Sequence, residues 1–136
     1  MPKMVLLAQF LSLNGTDLSE YTRKAEVSVE VEDKDVTTYA SLGWKEVIGG
    51  LKSGELGLEF LQDVAATEID SIMWPLLGTV VPFVVRADQS AVGASNPSYS
   101  GSVLINAWNP IEGSVGDEAS VSVSYPTSGA VVRATA

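Results

Sequence analysis

The sequence predicts a mainly β protein: two packed antiparallel sheets, a β-sandwich or barrel-like pair, with one flanking α-helix and a long inter-strand loop. Three observations predict it. Valine- and serine-rich segments alternate with period two, Gly and Pro residues separate them, and only one short segment has helical spacing. The 136 residues fit one domain over residues 1–136 that buries most of its apolar surface.

The first half of the chain contains three predicted strands. Residues 4–13 form the first, and Asn14-Gly15 predicts a tight turn because both residues tolerate a positive φ. Residues 22–32 alternate most clearly, and residues 53–62 alternate again after a long connection over residues 33–52. The side chains predicted to point inward are Ala25, Val27, Val29, Val31, Leu56, Leu58 and Phe60.

The one predicted helix follows Thr67, which is a suitable N-cap, and carries acidic residues in its first turn. Apolar residues then recur at helical spacing as far as Leu76. Pro75 predicts that the helix stops before it, and Gly78 is a good terminator.

Four more strands are predicted after the helix, over residues 79–87, 99–108, 118–125 and 130–134. Pro82 lies inside the first of them and predicts a sheet edge or a bulge, because proline has no N–H for a sheet ladder.

Composition excludes several kinds of chemistry. The chain has no cysteine and no histidine, which excludes disulfides, thiol nucleophiles, Ser-His-Asp triads and the usual zinc sites. With 17 acidic and 8 basic residues the net charge is −9, which argues against a protein that binds nucleic acid through its phosphates. We expect neither a signal peptide nor a membrane-spanning segment, and therefore a soluble protein made in a cytoplasm.

The carboxylates fit no catalytic or metal site. Counted from Asp33, the sixth and twelfth positions of an EF-hand-type calcium loop fall on Thr38 and Trp44, so that pattern fails. Three predicted strands instead have solvent-exposed faces without Lys or Arg, over residues 26–32, 55–59 and 118–124. If these strands are neighbours, they form a smooth anionic wall, whereas ordinary surfaces mix both signs of charge.

The aromatic residues leave two interpretations open. Trp74 is predicted in the core beside the helix, and Trp44 at an interface, with burial against its own fold as a close rival. Trp44, Tyr39 or Tyr99 could alternatively stack on a ligand such as a sugar.

The chain resembles siphophage major tail tube proteins, which share a superfamily with the tube protein of type VI secretion systems. Four segments carry the resemblance, in the same order along nearly the whole chain. They are residues 22–38 (TRKAEVSVEVEDKDVTT), 43–56 (GWKEVIGGLKSGEL), 70–79 (DSIMWPLLGT) and 127–133 (TSGAVVR). It implies six-membered rings that stack into a tube, with inner sheets joined into a continuous barrel. The lumen would hold a tape-measure protein and later conduct the genome, in a flexible tail without a sheath.

This resemblance implies a structural virion protein of the tail, not an enzyme, assembled in the host cytoplasm and without catalytic residues, cofactor or metal. Its partners would be copies of itself, the tape-measure, tail terminator and baseplate or distal tail proteins, and passing DNA. The residues predicted to face the lumen are Glu26, Glu30, Glu32, Glu55 and Glu59. The residues predicted in the loop that reaches a neighbouring subunit or ring are Asp33, Asp35, Tyr39, Trp44, Leu51 and Lys52.

Two alternatives stay open at this point. One is a monomeric β-sandwich that binds a ligand through its aromatic residues, and the other is a tail terminator or baseplate protein of the same fold that forms a single ring.

Overall fold

The computed structural model describes residues 4–136 and contains two antiparallel sheets that are not closed into a barrel. One sheet has five strands in the order β2-β1-β5-β6-β8, and the other has three in the order β3-β4-β7. The strands are β1 (Phe10–Leu13), β2 (Thr16–Asp17), β3 (Thr22–Asp35), β4 (Val47–Leu61), β5 (Val80–Arg86), β6 (Ser98–Leu104), β7 (Ser120–Pro126) and β8 (Val132–Ala134), and the helix is α1 (Ile69–Met73). The predicted fold class is confirmed.

The two sheets share one hydrophobic core. Leu56, Leu58 and Phe60 point inward from β4, as their alternation predicted, and meet Phe83 and Val103 of the other sheet in the same buried cluster. Val121, Val123 and Tyr125 complete the inner face from β7. Fully burying side chains of this size stabilises a fold by about 1.5–3 kcal/mol each.

The first strand is shorter than predicted. Only Phe10–Leu13 pair as β1, and they join β2 through the predicted Asn14-Gly15 turn, in which both residues have positive φ. The large side chains of residues 4–7 are exposed, so apolar character there does not indicate a strand. The expectation that the chain lacks a signal peptide rests partly on Met1, Pro2 and Lys3, which lie outside the described residues.

Strands β3 and β4 are longer than predicted, and the predicted loop bounds of 33–52 are wrong. The two strands stay paired as far as Asp35 opposite Val47, so only residues 36–46 form the hairpin tip. The prediction that Val29 and Val31 are buried also fails, since they are 64% and 53% exposed. Period-two alternation therefore continues past the point where the second sheet covers it.

Pro82 lies in a strand that has neighbours on both sides, not at a sheet edge. β5 pairs with both β1 and β6, and Pro82 is opposite Ser102 of β6. The Pro82 carbonyl accepts a hydrogen bond from the N–H of Asn14 at 2.8 Å, just beyond the end of β1. The backbone nitrogen and carbonyl of Pro82 therefore face the turn after β1. Because no strand pairs with Pro82 on that side, its missing N–H breaks no hydrogen bond of the sheet.

The helix is confirmed but short, and its cap is misplaced by one residue. Glu68, not Thr67, occupies the N-cap position, and Thr67 has a φ of 68°. The α-helix ends before Pro75, which lies in a following 3-10 turn, and Gly78 has a positive φ. Trp74 is 57% exposed, so its predicted core position is wrong.

Within residues 4–136, no helix is long and apolar enough to cross a bilayer. The strands predicted at 99–108, 118–125 and 130–134 are present as β6, β7 and β8 with shorter bounds.

Candidate functional site

The three segments with wet, acidic faces belong to one sheet. β3, β4 and β7 are neighbours in that order, so the adjacency assumed from the sequence is correct. In register, Glu26 lies opposite Gly57 and Gly57 opposite Ser124, while Ser28 lies opposite Glu55. We call the surface formed by these side chains and their row neighbours, on the side away from the core, the outer face.

Four of the five glutamates predicted to line a lumen lie on the outer face. Glu26 and Glu30 occupy β3, and Glu55 and Glu59 occupy β4 at positions that alternate with the buried leucines. Glu32 lies at a register shift, where one residue of β3 faces two of β4, Gly50 and Leu51. The fifth glutamate therefore sits where the regular sheet gives way to the projecting part of the hairpin.

Serine hydroxyls separate and hydrogen-bond the carboxylates of the outer face. Ser124 of β7 donates to Glu55, and Ser28 donates to Glu26 at 3.1 Å. The face is not wholly free of cations, since Lys24 lies opposite Glu59 and 3.7 Å from Glu26, and Lys34 pairs with Glu32. Both lysines stand just outside the acidic segment of β3, so the middle of the outer face carries only negative and neutral side chains.

Beyond the sandwich, β3 and β4 continue as a two-stranded projection that we call the arm, residues 31–52. The loop residues predicted to contact a neighbour all lie in it, but Asp33, Asp35, Leu51 and Lys52 are on strands and only Tyr39 and Trp44 are in the tip. Within the tip, a 3-10 turn over Tyr39–Ser41 and a hydrogen bond from Thr37 Oγ1 to the Glu46 carbonyl fix the backbone.

The arm exposes large apolar side chains. Tyr39 is 102% exposed, Leu42 85%, Trp44 79% and Leu51 77%. The rival prediction that Trp44 is buried against its own fold is therefore wrong. Several large apolar side chains are thus exposed along one projection of the fold.

The aromatic residues considered for ligand stacking do not form one site. Tyr39 and Trp44 lie in the arm tip, whereas Tyr99 lies on β6, where its hydroxyl accepts a hydrogen bond from Arg133 Nε at 3.3 Å. Among residues 4–136, no three carboxylate side chains converge as ligands for a metal ion.

Sequence reasoning missed a cleft of about 480 Å³ between the two sheets, beside β3. Its walls are apolar, with Leu6, Val27, Val29 and Val131, yet Arg86 and Arg133 also line it. The available signal was that each arginine is a lone cation within an apolar strand segment.

No family model matches the sequence, and no curated protein matches it either. Several solved chains share its fold, and two of them come from gene transfer agent particles. One, in the virion of a native gene transfer agent particle, aligns with a TM-score of 0.71 and 22% identity over 92% of this chain and 94% of its own. The other, in the tail of an empty gene transfer agent particle computed with helical refinement and C6 symmetry, aligns with a TM-score of 0.69 and 23% identity over 93% of both chains.

Proposed function

We propose that the protein is a structural subunit of a phage-like tail, and specifically the major tail tube protein of a long non-contractile tail. The observation that carries the proposal is the outer face. It is an anionic surface of a sheet with two edge strands, β3 and β7, and the arm with its exposed apolar side chains extends from that sheet. The fold it shares with chains of gene transfer agent particles, one of them a tail of C6 symmetry, supports the same role.

The proposed ring would use the two edges of the three-stranded sheet. β3 and β7 are its edge strands, and each has one side without a paired neighbour, so β3 of one copy can pair with β7 of the next. Such a contact joins two different surfaces and is heterologous, which closes into a ring when the rotation between copies allows it. Six copies would then join their three-stranded sheets into one continuous wall.

The outer face would line the lumen of that ring, with Glu26, Glu30, Glu32, Glu55 and Glu59 turned toward the passing DNA. Duplex DNA carries one negative charge per about 1.7 Å, and cationic side chains would hold it by releasing its counterions. Glutamates spaced by serines repel the phosphates and offer them no cation, so the genome slides past the wall.

The arm would connect subunits of successive rings or adjacent subunits of one ring. Tyr39, Trp44 and Leu51 would bury their apolar surface there, while Asp33, Asp35 and Lys52 would form the polar margin. Stacked rings would enclose the tape-measure protein and end on terminator and distal tail proteins, in a virion assembled in the host cytoplasm.

The deciding experiment is sedimentation velocity and negative-stain electron microscopy of the purified chain over a range of concentrations. The proposal predicts stacked rings with six-fold end views and a polymer mass that rises with concentration. A discrete ring that never stacks would indicate a terminator or baseplate role instead. A monomer at all concentrations, and also in the presence of the tail components that nucleate assembly, would overturn the proposal.

A further inference from the structure

Arg86 and Arg133 form no ion pair among the described residues, although the protein is acidic. The ion pairs among residues 4–136 join Arg23 to Glu118, Lys24 to Glu26 and Lys34 to Glu32, and none of them includes Arg86 or Arg133. Both arginines line the same cleft, whose walls contain no carboxylate. With 17 acidic residues in the chain, a pair of arginines without a carboxylate points to a partner group outside the subunit.

Arg86 is held in place for such a contact. Its guanidinium lies over the ring of Phe10, 3.9 Å from the centroid, and its Nε is buried without a hydrogen-bond partner among the described residues. Arg133 is fixed only by its bond to Tyr99 and reaches solvent. Next to the arginines, Val29 is 64% exposed and Leu6 56%, so the cleft offers apolar surface together with positive charge.

We propose that this cleft receives residues 111–117 of a second copy of the chain, the acidic loop that precedes β7. Ile111 and Val115 are 91% and 106% exposed, and the loop also carries Glu112 and Asp117 without a cation. The apolar pair would enter the cleft, and the carboxylates would meet Arg86 and Arg133.

Charge complementarity favours the acidic loop over residues 4–7 and the arm, two other segments that expose several large apolar side chains. Residues 4–7 carry no charged side chain, and the arm over residues 31–52 has four acidic and three basic residues. Of these three segments, the loop combines exposed apolar side chains with carboxylates alone, which is the complement of an apolar cleft that carries arginines.

The strand directions place the acidic loop near the cleft, a step that rests on the proposed ring. β3 and β7 both run antiparallel to β4 and are therefore parallel to each other. When β7 of one copy lies along β3 of the next, the loop before β7 lies at the beginning of β3. There Ala25 and Gln9 border the cleft, and Gln9 Nε2 donates to the Ala25 carbonyl at 3.0 Å.

Charge reversal tests the contact. Arg133→Glu and Glu112→Arg should each raise the concentration needed for assembly by about tenfold, as expected for loss of one partly desolvated ion pair, and the double variant should restore it. Glu59→Arg makes the charge change of Glu112→Arg on the outer face, on the central strand β4 away from the proposed contact, and should assemble normally. Single variants that assemble like the parent, or a double variant that is no better than either, overturn the proposal.

Cross-linking separates this proposal from the tube itself. Because the chain has no cysteine, Ser114→Cys in the loop with Ala87→Cys in the cleft supplies two unique thiols for a short bis-maleimide and keeps the charged side chains of the contact. A ladder of linked subunits supports the contact even if no tube forms, and each single-cysteine variant should show no ladder. Tubes without that ladder, or a ladder that appears only when Ala87→Cys is combined with Leu7→Cys or Trp44→Cys, overturn the proposal and leave the tube function standing.

Discussion

The indole Nε1 of Trp108 donates a hydrogen bond to Oδ1 of Asp70 at 2.9 Å, and this bond attaches the short helix α1 to the core. Trp108 is 7% exposed, and its ring lies 6.1 Å from that of Phe60 between centroids. A five-residue helix has little stability of its own, so α1 depends on such tertiary contacts.

Removing that acceptor should destabilise the fold. Asp70→Ala leaves the buried indole N–H unpaired, and we expect the free energy of unfolding to fall by about 1–2 kcal/mol in urea titrations. Asp70→Asn keeps an oxygen acceptor and is the matched control, which should lose less. Equal losses in the two variants would show that the carboxylate charge matters and the hydrogen bond does not.

Tyr125 should make the fold sensitive to alkali. Burial raises the pKa of Tyr125 above its usual value of about 10, and its hydroxyl donates to the Ala107 carbonyl at 2.9 Å. Because the folded pKa lies above the unfolded one, stability is complete below pH 10 and is lost as the pH rises beyond it. The hydrogen bond to Glu68 raises the pKa of Tyr21 and adds to the same trend.

Tyr125→Phe tests this dependence. At pH 8 the variant should lose about 1 kcal/mol, since the Ala107 carbonyl loses its donor. Between pH 10 and 11.5 its unfolding midpoint should fall less steeply than that of the parent chain. Parallel pH profiles for the two proteins would contradict a role for Tyr125 in alkaline unfolding.

Alternation along the chain predicted the sheets well but did not predict where the sandwich ends. Val27 and Val29 occupy equivalent positions in the pattern of β3, yet Val27 packs against the core and Val29 is mostly exposed. The difference is set by how far the five-stranded sheet extends opposite β3, which is a tertiary property.

The outer face was predictable because its glutamates alternate with buried side chains. Arg86 and Arg133 were not, because they are 47 residues apart in the sequence and come together only through the pairing of β5, β6 and β8.

Trp44→Ala should prevent assembly without harming the fold. Its side chain is 79% exposed in the arm tip, so the unfolding free energy should change by no more than about 0.5 kcal/mol. Pelleting and electron microscopy should show few tubes and mostly soluble subunits. Trp74→Ala removes another exposed tryptophan, outside the arm, and should assemble normally. Undiminished tubes from Trp44→Ala would reject the arm as an inter-subunit contact.

The charge of the outer face should control how fast DNA leaves the tail. Glu30→Lys with Glu59→Lys places two cations on β3 and β4 without touching the core, so tubes should form as before. DNA ejection from particles built with this variant should be slower, and raising the salt concentration should partly restore it because counterions screen the new contacts. Glu30→Gln with Glu59→Gln removes the negative charge without adding a cation, and should slow ejection much less. Unchanged ejection and infectivity in the lysine variant would mean that the outer face does not line the lumen.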